Sequence, residues 1–156
     1  MNNCKVNKFV HTKYKKKMTI TDIDMIMHKK SKNHIRIVES KHPTERYNST
    51  QDDALREIAK VFKFAMDRGY PMKLEVLKLI GNPNYITEVQ HPTRLGEMQE
   101  VYDLKQFQTK DFITGEVKYY NTQKDIDTFF LMDDKEQDKY NEKYKSYYPQ
   151  QMKINF

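Results

Sequence analysis

Four charged side chains lie close together in the segment between positions 19 and 42: Asp22, Asp24, Glu39 and Lys41. Magnesium takes oxygen ligands and keeps several waters, so one or two carboxylates are enough to hold it. A bound divalent cation activates water and stabilises negative charge on a phosphate. A lysine ammonium can orient the attacking water or stabilise the developing charge. These residue types therefore point to metal-dependent hydrolysis of a phosphodiester.

Two β-strands and a short turn would position these residues. Residues 18–28 have a period of two that places Asp22 and Asp24 on one face of a predicted strand. Residues 35–41 form a second predicted strand with Glu39 and Lys41 on one face. The polar residues 30–33 between them are typical of a turn.

The length of the turn decides which residues of the two strands face each other. With residues 30–33 as a four-residue loop, Asp24 pairs with Glu39 and Asp22 pairs with Lys41. Directly opposed residues share a face, with Cβ atoms roughly 4.5–5.5 Å apart. A shift of one residue would place the two sets on opposite faces. We predict that the four side chains converge, with Asp24, Glu39 and the backbone carbonyl of Ser40 as metal ligands.

A helix is expected after the hairpin. Residues 49–53 combine a hydroxyl N-cap with acids in the first turn, which is typical of a helix start. The helix is expected to run to about Arg68, with Gly69 as its stop. Gln51 lies one turn before the apolar stripe and on the same face, so we expect it at the site. The stripe consists of Leu55, Ile58, Val61, Phe62 and Ala65.

The remaining segments complete one expected domain over residues 1–156, with its core at about 18–80 and accessory elements from 82 onward. A strand at 70–81 would follow the helix as a crossover returning to the same sheet. The other expected elements are a short strand or helix at 7–12, a loop at 84–90, a hairpin at 107–120, a short helix at 124–131 and an exposed helix or tail at 133–148.

Positive charge is concentrated beside the two aspartates. Residues 1–34 hold nine lysines against Asp22 and Asp24, a net charge of +7, whereas the whole chain carries +6. A polyanion would be steered to this end of the molecule. The alternative is a solvated arm that serves solubility. The lysines expected to contact nucleic acid are Lys13, Lys15, Lys16, Lys17, Lys29, Lys30 and Lys32.

Asp24 together with the run Glu39-Ser40-Lys41 resembles the motif of the PD-(D/E)xK nuclease superfamily, which includes restriction endonucleases, Holliday-junction resolvases and phage exonucleases. The resemblance covers about residues 18–80. It implies an α/β (α+β) fold, with a restriction-endonuclease-like mixed β-sheet flanked by helices in α-β-β-β-α-β order. It also implies cleavage of DNA with Mg²⁺ or Mn²⁺ as cofactor.

The same resemblance assigns roles to individual residues. Asp24 and Glu39 would be metal ligands and Lys41 the catalytic lysine. Asp22 would be an accessory acid, and Gln51 would be the polar site residue on the helix that follows the hairpin. The sequence departs from the family pattern in that residues 1–17 contain no acid, although the family's first helix often supplies a glutamate.

The same residues allow several alternatives. Glu39 and Lys41 could form a salt bridge on a solvated face, and Asp22 and Gln51 could be surface residues. A non-catalytic nucleic-acid-binding protein on the same scaffold is one rival function. An interaction protein of viral or mobile-element origin is another. Among nucleases, cleavage of both strands would favour a homodimer, and RNA is a second potential substrate.

Other features of the sequence exclude some classes of protein. No apolar run reaches about 18 residues, so no transmembrane helix is expected. The first residues lack an apolar signal core, so secretion is not expected. Cys4 is the only cysteine and cannot form an internal disulfide. These features favour the cytoplasm, or the host cytoplasm for a viral protein.

Overall fold

The computed structural model describes residues 5–18, 21, 23–83, 85–135, 139 and 142. These residues form an α+β fold with a mixed sheet, which confirms the predicted fold class. The elements are α1 (Lys5–Tyr14), β1 (Met25–Lys29), β2 (His34–Lys41), α2 (Ser49–Asp67), β3 (Lys73–Gly81), β4 (Tyr85–Gln90), β5 (Met98–Asp103), β6 (Phe107–Asp111), β7 (Val117–Tyr120) and α3 (Gln123–Phe130).

The main sheet has five strands in the order β1-β2-β3-β6-β7. Among the described strands of this sheet, only β2 and β3 run parallel. Helix α2 is the crossover between them, as the sequence predicts. The described elements up to β3 follow the order α-β-β-α-β. That order has one strand fewer than the family resemblance implies.

The hairpin of β1 and β2 has the predicted register. Met25 pairs with Val38 and Lys29 pairs with His34. The same register, continued one position beyond the paired residues, would set Asp24 against Glu39. Between the strands, residues Lys30–Lys32 form a 3₁₀ turn, and Asn33 has a φ of 49°, a left-handed conformation that asparagine tolerates.

The first strand is shorter than predicted, because β1 begins at Met25 and not near residue 18. The reason lies at Asp24, whose carboxylate Oδ2 accepts hydrogen bonds from the Ser40 backbone N–H at 2.8 Å and the Ser40 hydroxyl at 3.0 Å. The Ser40 N–H therefore donates to the Asp24 side chain and not to a backbone carbonyl of a longer β1.

Each face of the sheet carries its own apolar core. The face under α2 buries Ile37, Leu55, Ala59 and Val76. The opposite face, under α3, buries Val38, Leu77, Leu79, Phe107, Ile126 and Phe129. Because the side chains of a strand alternate between faces, Glu39 and Lys41 lie on the same face as Ile37, the face under α2.

Two details of α2 differ from the sequence prediction. The N-cap is Asn48, whose side chain accepts a hydrogen bond from the Gln51 backbone N–H, and not a hydroxyl residue. Val61 is 65% exposed, so its place in the predicted stripe is wrong. Ala59 is buried instead, because a helix whose Leu55 faces the sheet brings the residue four positions later to the same face.

Beyond β3, two predictions are confirmed and one is wrong. The predicted hairpin at 107–120 is the β6–β7 pair, and α3 coincides with the predicted short helix. The expected loop at 84–90 is strand β4, which pairs with β5 in a separate two-stranded sheet. The uncertain segment at 7–12 lies in α1, and most of 133–148 lies outside the described residues.

None of the helices within the described ranges is long and apolar enough to cross a membrane.

A buried polar cluster joins β2 to β3 on the α3 side of the sheet. Arg36 donates to Glu75 Oε1 at 3.2 Å and to the Phe129 carbonyl at 2.7 Å. The His34 ring, fully buried, also hydrogen-bonds Glu75 through Nε2. Burial alone would raise the pKa of Glu75, but the His34 hydrogen bond and the charges of Arg36 and Lys73 outweigh it and lower that pKa to about 2.

The lowered pKa predicts how acid affects stability. The ionised Glu75 stabilises the fold fully above its ordinary pKa of 4.5, and this contribution is lost as the pH falls toward 2. We expect Glu75→Gln to lower the free energy of unfolding by about 2–3 kcal/mol at pH 7 and by much less at pH 3. Urea unfolding at both pH values measures this. Glu57→Gln, at an exposed ion pair, is the control, and an equal loss at both pH values would contradict the prediction.

Candidate active site

Glu39 is the centre of the candidate site. It lies in β2 on the face under α2, beside Lys78 of β3 in the sheet register, and is only 5% exposed. A carboxylate is rarely buried without a partner that compensates its charge. Its surroundings therefore decide what it can do.

The first turn of α2 brings Gln51 onto Glu39. Gln51 Nε2 donates a hydrogen bond to Glu39 Oε1 and lies 3.4 Å from the Thr21 hydroxyl. The Asn48 cap fixes the start of the helix by accepting from the Gln51 backbone N–H at 3.2 Å. Gln51 thus reaches the face on which the sequence placed it, although its part in chemistry stays a prediction.

Asp24 brings a second carboxylate to the same place. Its hydrogen bonds to the backbone N–H and hydroxyl of Ser40 fix its carboxylate against β2. It lies close enough to Glu39 for its negative charge to raise the Glu39 pKa. The structure therefore brings Asp24 and Glu39 together across the end of the hairpin.

The pKa of Glu39 is raised from 4.5 to about 7. Burial is the largest cause and the charge of Asp24 is the second, while the hydrogen bond from Gln51 lowers the pKa only in part. The negative charge of Asp24 raises the pKa of Glu39 because two carboxylates repel each other in the absence of a cation. Such pairs are common at functional sites.

Two buried oxygen atoms at this site have no hydrogen-bond partner among the described residues. They are Glu39 Oε2 and Gln51 Oε1. Both are acceptors, and a buried acceptor without a donor is unusual in a folded protein. A hard cation with oxygen ligands would satisfy them and would also offset the charges of Asp24 and Glu39. Oxygen ligands of this kind are those that Mg²⁺ or Mn²⁺ would take, and a bound metal at this place stays a prediction.

The remaining predicted site residues are Lys41, Asp22 and Ser40. Lys41 is half-buried on the same face, with its ammonium Nζ 3.6 Å from Glu45 Oε2. Asp22 lies outside the described residues. Ser40 contacts Asp24 through its N–H and hydroxyl, and its carbonyl as a ligand stays a prediction. In the described part of the chain, no three or more His, Cys, Asp or Glu side chains form a group that could hold a metal.

The lysines expected to bind phosphate are spread over three segments. Lys13 lies in α1, with its ammonium 5.5 Å from the centre of the Phe9 ring. Lys15, Lys16, Lys17 and Lys30 have exposed side chains, and Lys32 is half-buried. Lys29 donates to the Leu131 carbonyl at 2.6 Å and pairs with Asp133, so binding a phosphate there would compete with these contacts.

One buried polar pair at this site is not among the residues predicted from the sequence. Lys78 Nζ lies 2.7 Å from Asp52 Oδ1, and the two side chains are only 9% and 3% exposed. The available signal was a single lysine in the otherwise apolar end of β3, Leu77-Lys78-Leu79-Ile80. In the sequence, Asp52 indicates only a first-turn acid that favours the helix start.

The comparisons with known proteins add no relative. No protein-family model matches the sequence, and neither the curated proteins nor the solved structures contain a match.

Proposed function

We propose that the protein is a metal-dependent nuclease that hydrolyses phosphodiester bonds in DNA. The observation that carries the proposal is the buried Glu39, held by Gln51 beside Asp24, with a carboxylate oxygen that has no hydrogen-bond partner among the described residues. Its raised pKa supports the same conclusion. A purely structural residue at this position would be more stable as a neutral side chain.

Each residue has a distinct part in the proposed reaction. Asp24 and Glu39 would hold Mg²⁺ or Mn²⁺, with the Ser40 carbonyl and Asp22 as further oxygen ligands. The cation, when bound, acts as a Lewis acid and lowers the pKa of a water. Gln51 orients the Glu39 carboxylate through its amide. Lys41, on the same strand face, orients the attacking water or stabilises charge on the phosphate.

The substrate is assigned from charge. The exposed lysines that follow α1 and those of the β1–β2 turn would bind the sugar–phosphate backbone without reading sequence. DNA is the proposed substrate and a homodimer the proposed form for cleavage of both strands. A non-catalytic nucleic-acid-binding protein is the second candidate. It is favoured by α1, which contains no acidic residue that could complete the ligand set.

Cleavage of supercoiled plasmid tests the proposal. We expect nicked or linear products with Mg²⁺ or Mn²⁺ and none with EDTA. Glu39→Ala and Lys41→Ala should each lose cleavage while still binding DNA in a salt-sensitive gel shift. DNA binding without metal-dependent cleavage would support the second candidate. Cleavage that persists in both variants would overturn the nuclease proposal.

A further inference from the structure

The start of α2 is joined to the sheet by two neighbouring polar connections. Gln51 and Asp52 are consecutive residues of the first turn, and both are buried. Gln51 contacts Glu39 of β2, and Asp52 contacts Lys78 of β3. Because Glu39 and Lys78 are register partners in the parallel pair, the two connections lie side by side.

The Asp52–Lys78 pair is hard to explain as a source of stability. Removing two charges from water carries a large desolvation penalty, and well-packed apolar residues of similar size are often as stable or more stable. The pair is buried beneath the start of α2, where Lys78 Nζ also lies 5.3 Å from the centre of the Tyr47 ring. The exposed ion pairs of the same helix, such as Lys63–Asp67 at 2.7 Å, lack this burial.

What the pair does provide is a fixed position and orientation of the first turn of α2 on the sheet. An apolar contact allows a helix to slide or rotate slightly, whereas a hydrogen-bonded ion pair has one preferred distance and orientation. Because Asp52 directly follows Gln51, fixing Asp52 on Lys78 also fixes the rotation of the first turn. That rotation determines whether the Gln51 amide meets Glu39 Oε1.

We propose that Asp52 and Lys78 are positioning residues, which hold the Gln51 amide on Glu39 and so orient the carboxylate that binds the divalent cation. This inference rests on the proposed metal site. Partners that orient metal ligands typically change metal affinity or activity by about 10–100-fold when they are removed.

Mn²⁺ binding, measured by the electron paramagnetic resonance of the free ion, tests the inference on the full chain. The double variant Asp52→Leu/Lys78→Met removes both charges together. We expect its Mn²⁺ affinity to fall about 10-fold, with a midpoint of thermal unfolding equal to or above that of the original protein. The matched control, Lys63→Met/Asp67→Leu, removes an exposed pair of the same helix and should leave Mn²⁺ affinity unchanged.

A second set of variants separates positioning from a general structural effect. If the pair acts through Gln51, then Gln51→Ala should weaken Mn²⁺ binding, and adding the double variant to it should cause no further loss. The isosteric Asp52→Asn keeps a hydrogen-bond acceptor for Lys78 but leaves the buried ammonium without a counter-charge, so it should lower both the midpoint of thermal unfolding and the Mn²⁺ affinity. If the double variant does not fold, the Mn²⁺ affinity of Asp52→Asn tests the inference.

The outcomes are distinct. Mn²⁺ affinity unchanged in the double variant, or in Asp52→Asn where only that variant folds, would overturn the positioning role and leave the nuclease proposal standing. Additive losses with Gln51→Ala would also overturn it. An original protein that neither binds Mn²⁺ nor cleaves DNA would overturn the proposed function and this inference together.

Discussion

Glu39→Gln is expected to reduce cleavage by at least about 100-fold, since losing a metal ligand should cost at least as much as losing a residue that orients one. At pH 8 in EDTA, it is expected to raise the free energy of unfolding by about 2 kcal/mol. The loss of activity follows from removing a metal ligand. The gain in stability follows from removing a carboxylate that is ionised at pH 8 although burial and the charge of Asp24 disfavour its charged form. Activity and stability therefore change in opposite directions at one residue.

The sign of the pH dependence follows from the raised pKa. Folding favours the protonated Glu39, so its stabilising contribution is fully present below the ordinary pKa of 4.5 and is lost as the pH rises through about 7. Glutamine is neutral at every pH. The variant and the original protein should therefore have similar stability at pH 4 and separate progressively up to pH 8.

Urea unfolding in EDTA at pH 4, 6 and 8 measures this separation. The exposed Glu57, paired with Lys60 at 2.7 Å, provides the control Glu57→Gln, for which no such pH dependence is expected. Mg²⁺ should raise the stability of the original protein and not that of Glu39→Gln. A stability difference for Glu39→Gln that does not change with pH would contradict the account of the site.

Lys41→Ala is the second large effect, and it should change activity without a comparable change in stability. Removing one group that stabilises transition-state charge typically lowers kcat by about 100–1,000-fold, and we expect a loss of that size. Its contact with Glu45 is long, at 3.6 Å, and Glu45 is exposed. Such a pair contributes at most about 1 kcal/mol, so the fold should remain intact.

Cleavage rates at saturating Mg²⁺, with urea unfolding of the same samples, measure both quantities. Lys63→Ala is the matched control, since Lys63 forms an exposed ion pair on α2 away from the predicted ligands. DNA affinity of Lys41→Ala should remain close to that of the original protein. A variant that cleaves at the original rate would remove Lys41 from the mechanism, whatever the role of the carboxylates.

The sequence predicted the hairpin well because its pattern and turn constrain each other. A period of two fixed the faces, and the four residues between Lys29 and His34 fixed the register, so that Asp24 could be placed opposite Glu39. Helical spacing likewise predicted that Gln51 lies at the site, where it contacts Glu39. These are local properties, and local properties can be read from one sequence.

The features that were missed depend on long-range contacts. Strand β1 begins later than predicted, at Met25, because of the Asp24–Ser40 hydrogen bonds. These bonds require β2 to lie beside Asp24. The buried Asp52–Lys78 pair joins residues 26 positions apart, and neither partner indicates the other. Strand β4 forms by pairing with β5, whose segment had no clear pattern of its own.

The central claim is that Asp24 and Glu39 hold a divalent cation. A crystal structure of the protein soaked in Mn²⁺, with an anomalous difference map, tests it most directly. We predict one strong peak between the two carboxylates, about 2.1 Å from the nearest oxygens and absent in crystals of Glu39→Gln. A map with no peak there, or the same peak in Glu39→Gln, would contradict the account.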